Sequence, residues 1–325
     1  MFRGAASGVA LALVAAGCSG LAPKDPDPTP IHPTAVLETH VVNEGSKGFP
    51  EFESTTRTYT RPNMQRAETT AGSTGAIARL LGGATIDAHI ERLDRKLTWT
   101  LAAKDKHYVE CPLKGCAPPI PRKPPEKKSV DEIRDTECRL KTGTTTFTIE
   151  PTGQKRSING FDAEQYDIKY LVTFRDNASR KSTSTVNIDL WTTPVTATMR
   201  DAMALEKAYA RARDKVLGTD TDTDRMAVLP PEVGRMISNY LVSNVSPTDR
   251  ASLLAGAKKM DKVKGQPIQM NVKWSFAGEA CSMDETMKDI GDKPLFTFVS
   301  EVKVYKLEAL HDSLFVPPKD YKRKK

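Results

Sequence analysis

Sequence motifs that mark common enzyme classes are missing from this chain. Its five histidines are scattered, and none stands in a His-Glu-x-x-His pair or beside a candidate nucleophile. The sequence after the N-terminal signal region contains neither a Gly-x-Ser-x-Gly nucleophile elbow nor a phosphate-binding glycine loop. Cys-x-x-Cys pairs, which are typical of zinc sites, are absent as well. These absences favour a protein that binds a ligand or supports an assembly, and we expect no catalytic activity, no metal and no cofactor.

Apolar runs long enough to span a bilayer are also missing. The apolar stretch at residues 9–16 is far too short for that purpose, but it follows the positive Arg3 and precedes small residues and Cys18. A charged, an apolar and a small-residue region in this order are what a signal peptidase needs. The N-terminus is therefore predicted to be an export signal.

The same stretch resembles the lipobox of bacterial lipoproteins. This resemblance implies that residues 1–17 are removed and that Cys18 becomes the first residue, carrying palmitate and other acyl chains that hold it on a membrane. Ser19, after the cysteine, implies sorting to the outer membrane of a Gram-negative bacterium, on its periplasmic face. An ordinary secretory signal that contains a cysteine is the alternative.

The cysteines beyond the signal region are even in number, and an exported protein meets an oxidising compartment. This combination favours two disulfides, although the spacing does not select among the three connectivities. A zinc site formed by these cysteines is the alternative to the disulfides, but no Cys-x-x-Cys pair supports it. The four candidates are Cys111, Cys116, Cys138 and Cys281.

Positive charge is in modest excess, with 48 Lys and Arg residues against 41 Asp and Glu residues and a net charge of +7. The basic residues are spread thinly except at residues 122–128 and 319–325. Because an exported protein rarely meets nucleic acid, we expect no nucleic-acid partner. The excess favours weak attraction to anionic lipid head groups, or simply a solvated surface.

Proline concentration separates a tether from a folded domain. Five of the 22 prolines lie in residues 18–34, which have almost nothing apolar to bury. Such a stretch prefers an extended polyproline II conformation. The chain is thus predicted to contain a signal peptide at residues 1–17, an acylated cysteine and tether at residues 18–34, and one domain at residues 35–325.

Alternating apolar and polar residues predict about eleven strands after residue 35, in an antiparallel sheet with one covered face. The clearest hairpin spans residues 92–112. A loop at residues 111–138 is too rich in proline and lysine to pack. Turns are predicted at residues 151–153 and 175–177.

The period becomes helical within residues 198–262. Ala202, Leu205 and Tyr209 belong to an apolar stripe that ends before Gly218. Two further helices are predicted at residues 231–242 and 246–262. The predicted fold class is α+β, with this three-helix insertion covering one face of the sheet either as part of the core or as a lid.

Short motifs spread over residues 50–322 point to a family. An Arg-Leu-Asp triplet precedes the apolar-Trp-apolar strand around Trp99, and Ile158-Asn159-Gly160-Phe161 forms a turn. Asp189-Leu190-Trp191-Thr192 ends a strand, and Phe315-Val316-Pro317-Pro318 precedes the C-terminus. Together these motifs resemble an uncharacterised family of exported bacterial lipoproteins with a half-barrel domain of the LolA and LolB type. The resemblance implies a curved half-barrel whose concave face could hold a hydrophobic ligand.

Three hypotheses about function follow. The first is a non-enzymatic lipoprotein that binds a lipid, another lipoprotein or a hydrophobic small molecule on the concave face. The second is a structural lipoprotein that docks on an envelope complex without a ligand, and the third is an enzyme without a recognisable motif. Large apolar side chains at alternate strand positions face either a cavity or the core. The candidates of this kind are Leu97, Trp99, Leu101, Tyr108 and Trp191.

Overall fold

Antiparallel strands dominate the fold. A computed structural model describes residues 27–44, 51–72, 85–116, 141–218, 262–280 and 294–324. In these residues twelve strands form one curved, unclosed sheet in the order β12-β6-β5-β4-β3-β2-β1-β11-β10-β9-β8-β7. The strands are β1 Ile31–Asn43, β2 Phe52–Arg61, β3 Met64–Gly72, β4 Thr85–Arg92, β5 Leu97–Ala102, β6 His107–Pro112, β7 Lys141–Ile158, β8 Phe161–Arg175, β9 Lys181–Thr193, β10 Gln266–Gly278, β11 Phe296–His311 and β12 Lys322–Arg323. The predicted antiparallel sheet is confirmed, with twelve strands in place of about eleven.

Two series of consecutive antiparallel strands make up the sheet. One series runs from β1 to β6 and the other from β7 to β11. The long pair of β1 with β11 joins them, from Ile31 opposite His311 to Asn43 opposite Phe298. The short β12 adds in parallel beside β6. The first strand and the last long strand therefore pair near the middle of the sheet, and the C-terminal β12 lies at its edge.

The β7–β8 hairpin corrects one predicted turn. Asn159 and Gly160 have φ values of 50° and 84° and reverse the chain, as the Asn-Gly signal predicts. The turn predicted at residues 151–153 is wrong, because β7 continues through it to Ile158. The register instead shifts between Pro151 and Lys155, which is a bulge in a continuous strand. A bulge accommodates the positive φ of Gly153 without reversing the chain.

One α-helix, α1, lies in the described residues, at Ala197–Leu217. The Thr196 hydroxyl caps its start by accepting from the Met199 amide at 3.2 Å, and Gly218 ends it with a φ of 70°. The first predicted helix is thus confirmed, whereas those at residues 231–242 and 246–262 lie outside the described residues except for Lys262. Within the described part of the chain, no helix is long and apolar enough to cross a membrane.

The sheet has two faces, distinguished by α1. On β1 and β11, Ala35 and Tyr305 pack against Met199 and Ala202 of α1, and we call this side the helix face. Strand alternation extends the helix face to a larger apolar cluster on β8–β11 that includes Leu190, Val272, Trp274 and Phe298. On β4, Glu91 points to α1, so its neighbour Ile90 lies on the opposite face.

The N-terminal part of the domain begins earlier than predicted. β1 starts at Ile31, within the predicted tether, and the preceding residues are already bonded to the C-terminal part. His311 and Ser313 hydrogen-bond Thr29, the first through the carbonyl oxygen at 2.8 Å and the second through the hydroxyl at 3.2 Å. Asp27 also accepts a hydrogen bond from the Ser313 hydroxyl. Residues 31–34 of the predicted tether therefore lie in the sheet, and residues 18–26 of that prediction lie outside the described residues.

A disulfide joins Cys111 to Cys116, whose Cα atoms are 4.8 Å apart. The bridge closes a short loop at the end of β6. Because Cys111 is used in this way, it does not pair with Cys138 across the proline-rich loop. Cys138 and Cys281 lie outside the described residues, so a second disulfide stays a prediction.

Candidate functional site

The predicted cavity residues of the first hairpin come together in a filled core. Trp99 and Leu101 on β5 are 5% and 1% exposed, and Leu97 and Tyr108 pack at the edge of the same cluster. The indole Nε1 of Trp99 donates a hydrogen bond of 2.9 Å to a Glu110 carboxylate oxygen. All four residues lie on the face opposite α1, so the helix does not cover them.

The chain's own C-terminal segment covers these residues instead. A 3₁₀ helix at Asp312–Phe315 follows β11, and Phe315 is 0% exposed in the cluster with Trp99 and Leu101. The Arg61 guanidinium lies 4.6 Å from the centre of the Phe315 ring and pairs with Asp312. Arg66 and Arg92 donate to the carbonyl oxygens of residues 314 and 315 at 3.0 and 3.3 Å. Phe315 thus occupies the space that a ligand would need here.

Trp191 lies in a different cluster. It is 6% exposed and packs with Ile158, Ala163 and Ile268. The Arg156 guanidinium stands 4.0 Å from the centre of its ring, a cation–π contact that shields it. The structure therefore separates Trp191 from the four hairpin candidates.

An open groove of about 540 Å³ lies on the helix face, between α1 and the strands β10 and β11. This volume is within the range of roughly 300 to 1,000 Å³ that is usual for small-molecule sites. Met203, beside it, is 36% exposed, which is unusual for a large apolar side chain. The groove is lined by Arg200, Met203, Ala204, Glu206, Lys207, Ala210, Gln266 and Tyr305.

Helical spacing explains the composition of the groove. Positions 200, 203 or 204, 207 and 210 recur every three or four residues, so they share one side of α1. Because a helix turns about 100° per residue, the buried positions Ala202 and Tyr209 fall on nearly the opposite side of α1, which packs on the sheet. The groove side thus alternates between small or flexible apolar side chains and two cations.

A carboxyl group and a phenol are paired at the inner wall of the groove. The Tyr305 hydroxyl donates a 2.6 Å hydrogen bond to Glu206 Oε2, joining β11 to α1. Burial raises the pKa of Glu206 above its usual value, although the hydrogen bond from Tyr305 opposes the shift. Burial, and then the Glu206 carboxylate, raise the pKa of Tyr305. The pair fixes this wall and satisfies both polar groups.

The other side of α1 is fixed to β4. The Tyr209 hydroxyl and the Arg213 guanidinium both donate to Glu91 Oε2, the latter at 2.9 Å. Burial opposes ionisation of Glu91, but hydrogen bonds from His89, Tyr209 and Arg213 outweigh it and lower its pKa to about 2. Because α1 is bonded on both sides, the groove between helix and sheet is preformed.

The two cations of the groove form no ion pair with any other described residue. Arg200 and Lys207 are exposed, and neither has an ion-pair partner in the described ranges. Their long aliphatic stems can cover apolar surface while the charged ends stay in water. The groove can therefore hold an apolar body beside a polar or charged end. Groups of three or more metal-binding side chains are not found in the part of the chain that the structure describes.

Sequence reasoning missed the groove, although one signal was present. Glu206 stands four residues after Ala202 and three before Tyr209, so it interrupts the apolar side of the helix. A carboxyl group at such a position needs a partner, and the partner, Tyr305, is about a hundred residues away. Cys18, the predicted lipidation site, lies outside the described residues. No protein-family model, curated protein or solved structure matches this chain.

Proposed function

We propose that this chain is an outer-membrane-anchored periplasmic lipoprotein that binds a hydrophobic ligand, without catalysis, in the groove beside α1. The observation that carries the proposal is an open, preformed groove with an exposed methionine at its wall. A polarizable, flexible Met side chain adapts its shape to different apolar ligands. The N-terminal signal and Cys18 support the location, as does the resemblance to the half-barrel carriers.

The groove is a better candidate for the ligand site than the hairpin cluster. A ligand at Trp99 and Leu101 would have to displace Phe315 and the arginine contacts that hold its segment. Among the described residues, no side chain fills the groove as Phe315 fills the hairpin cluster. The Glu91 and Tyr305 contacts keep α1 in place. Ligand binding therefore loses little conformational entropy of the protein.

Photolabelling of the full chain in its membrane tests this proposal. Monolauroylglycerol with a diazirine in its acyl chain is neutral, so it reports apolar binding alone. We expect saturable labelling of peptides that carry Met203, and its suppression by Ala204→Trp, which fills the groove. Arg211→Trp is the matched control, because Arg211 is exposed on the same helix but does not line the groove.

Two results would contradict the proposal. Labelling that is not saturable, or that Ala204→Trp and Arg211→Trp reduce equally, would mean that the groove is not the site. Under that outcome the structural hypothesis, docking on an envelope protein, would be the better one. The anchor is tested separately by metabolic labelling with palmitate, which Cys18→Ser should abolish.

A further inference from the structure

We propose that the ligand of the groove is a single-chain fatty acid whose carboxylate is held by Arg200 and Lys207. This inference rests on the proposed function, because it names the ligand of the same groove. It is carried by two exposed cations that share one side of α1 with the apolar residues Met203, Ala204 and Ala210.

The spacing of the cations suits one anionic head group. Residues seven apart stand two turns along a helix, on the same side, so Arg200 and Lys207 flank Met203 and Ala204. A carboxylate placed between them could accept from the guanidinium and from the ammonium group together. Its acyl chain would then lie over Met203 and Ala204, along the groove.

The only acidic group known to line the groove does not satisfy these cations. Among the described lining residues this group is Glu206, whose carboxylate accepts from the Tyr305 hydroxyl at 2.6 Å. It forms no ion pair with Arg200 or Lys207 in the described residues. Asp201 and Asp214 belong to the same helix but do not line the groove. The lining therefore presents positive charge that a ligand anion would complement.

The size and openness of the groove favour one acyl chain. At about 540 Å³ it lies in the middle of the range for small ligands, and Met203 and the two alanines give a narrow apolar wall. A lipid with two acyl chains would leave one of them in water. We therefore commit to a free fatty acid and treat diacyl phosphatidic acid as an alternative outcome of the test.

Competition against the neutral photoprobe measures the contribution of the head group. The full chain, in vesicles of zwitterionic phospholipid, is labelled with diazirine monolauroylglycerol while unlabelled laurate or monolauroylglycerol competes. The two competitors share an acyl chain and differ in charge. We expect laurate to compete up to about tenfold more effectively, because exposed charged contacts are individually weak and two of them act together. This ratio should fall at high salt.

Matched double variants assign the effect to the groove. Arg200→Gln with Lys207→Gln should lower the ratio of laurate potency to monolauroylglycerol potency by up to about tenfold relative to the wild type. Arg211→Gln with Lys215→Gln removes the same charge from exposed positions outside the groove, and should leave the ratio unchanged. Because both variants use the same vesicles, partition of the competitors into lipid cancels. Equal thermal unfolding midpoints would show that both variants fold.

The outcomes separate this inference from the function on which it rests. An unchanged ratio in the Arg200 and Lys207 variant would overturn the fatty-acid inference, while groove labelling by the neutral probe would still support hydrophobic binding. Stronger competition by diacyl phosphatidic acid than by laurate would also overturn it. Absence of saturable groove labelling would overturn both proposals.

Discussion

Replacement of Trp99 by alanine tests whether the apolar residues of the first hairpin belong to the core or line a ligand site. The Trp99 side chain is 5% exposed and packs with Ile90, Leu101 and Phe315. In this setting the side chain is part of the core, and truncation leaves a cavity that its neighbours can fill only in part. We therefore expect Trp99→Ala to destabilise the fold with no direct effect on groove binding.

The magnitude follows from burial and from one hydrogen bond. Truncation of a buried Trp to alanine costs about 3 to 5 kcal/mol. The lost hydrogen bond to Glu110 adds little, since this carboxylate is partly exposed and also pairs with Arg323 at 3.0 Å. With a urea m value of about 2 to 3 kcal/mol/M, the unfolding midpoint should fall by roughly 1 to 2.5 M.

Urea unfolding followed by far-ultraviolet circular dichroism provides the assay, because the signal does not depend on the removed indole. Trp99→Phe is the control, since it keeps most of the buried apolar volume, loses the pyrrole ring and its hydrogen bond to Glu110, and should cost clearly less. A midpoint that hardly moves in Trp99→Ala, together with weaker lipid labelling, would refute the reasoning. Trp99 would then line a cavity.

Two further changes test other contacts. Glu91→Gln should lower the free energy of unfolding by roughly 2 to 3 kcal/mol at pH 7, where the low pKa of Glu91, about 2, favours the folded state. This contribution is present above the unfolded pKa and is lost as the pH falls from about 4.5 towards 2. The unfolding free energies of wild type and variant should therefore converge in this pH range. A difference in unfolding free energy that does not change with pH would contradict the assignment. Serine at both Cys111 and Cys116 should cost about 2 kcal/mol by urea unfolding. Non-reducing peptide mapping should show the two wild-type peptides linked, and free thiols at these residues would exclude the bridge.

Local signals predicted the elements they act on. α1 ends before Gly218 as predicted, and the Asn159-Gly160 turn places the β7–β8 hairpin. The turn predicted at residues 151–153 failed because Pro and Gly favour a bulge as well as a turn. Here β7 pairs with β8 on both sides of the bulge, and within it the Gln165 side-chain oxygen accepts from the Thr152 hydroxyl at 3.0 Å. This contact does not appear in a local window.

Side-chain roles were harder to predict than elements. Alternation put Leu97, Trp99 and Leu101 on one face, and the structure agrees. Alternation says nothing about what covers that face, and here Phe315 covers it from more than two hundred residues away. The helical stripe likewise placed α1 on the sheet but did not reveal its contacts with Glu91 and Tyr305.

The sequence by itself determined the sheet-dominated fold, the first helix with its end at Gly218, and the hairpin turn set by Asn-Gly. These features depend on neighbouring residues, since backbone preference and apolar period act within a few positions of the chain. Tertiary structure alone decided which cysteine pairs with Cys111, that Phe315 fills the hairpin face, and that Arg200 and Lys207 line an open groove. These outcomes depend on which strands and which helix side meet across the sheet, and contacts between distant residues are not encoded in a local pattern.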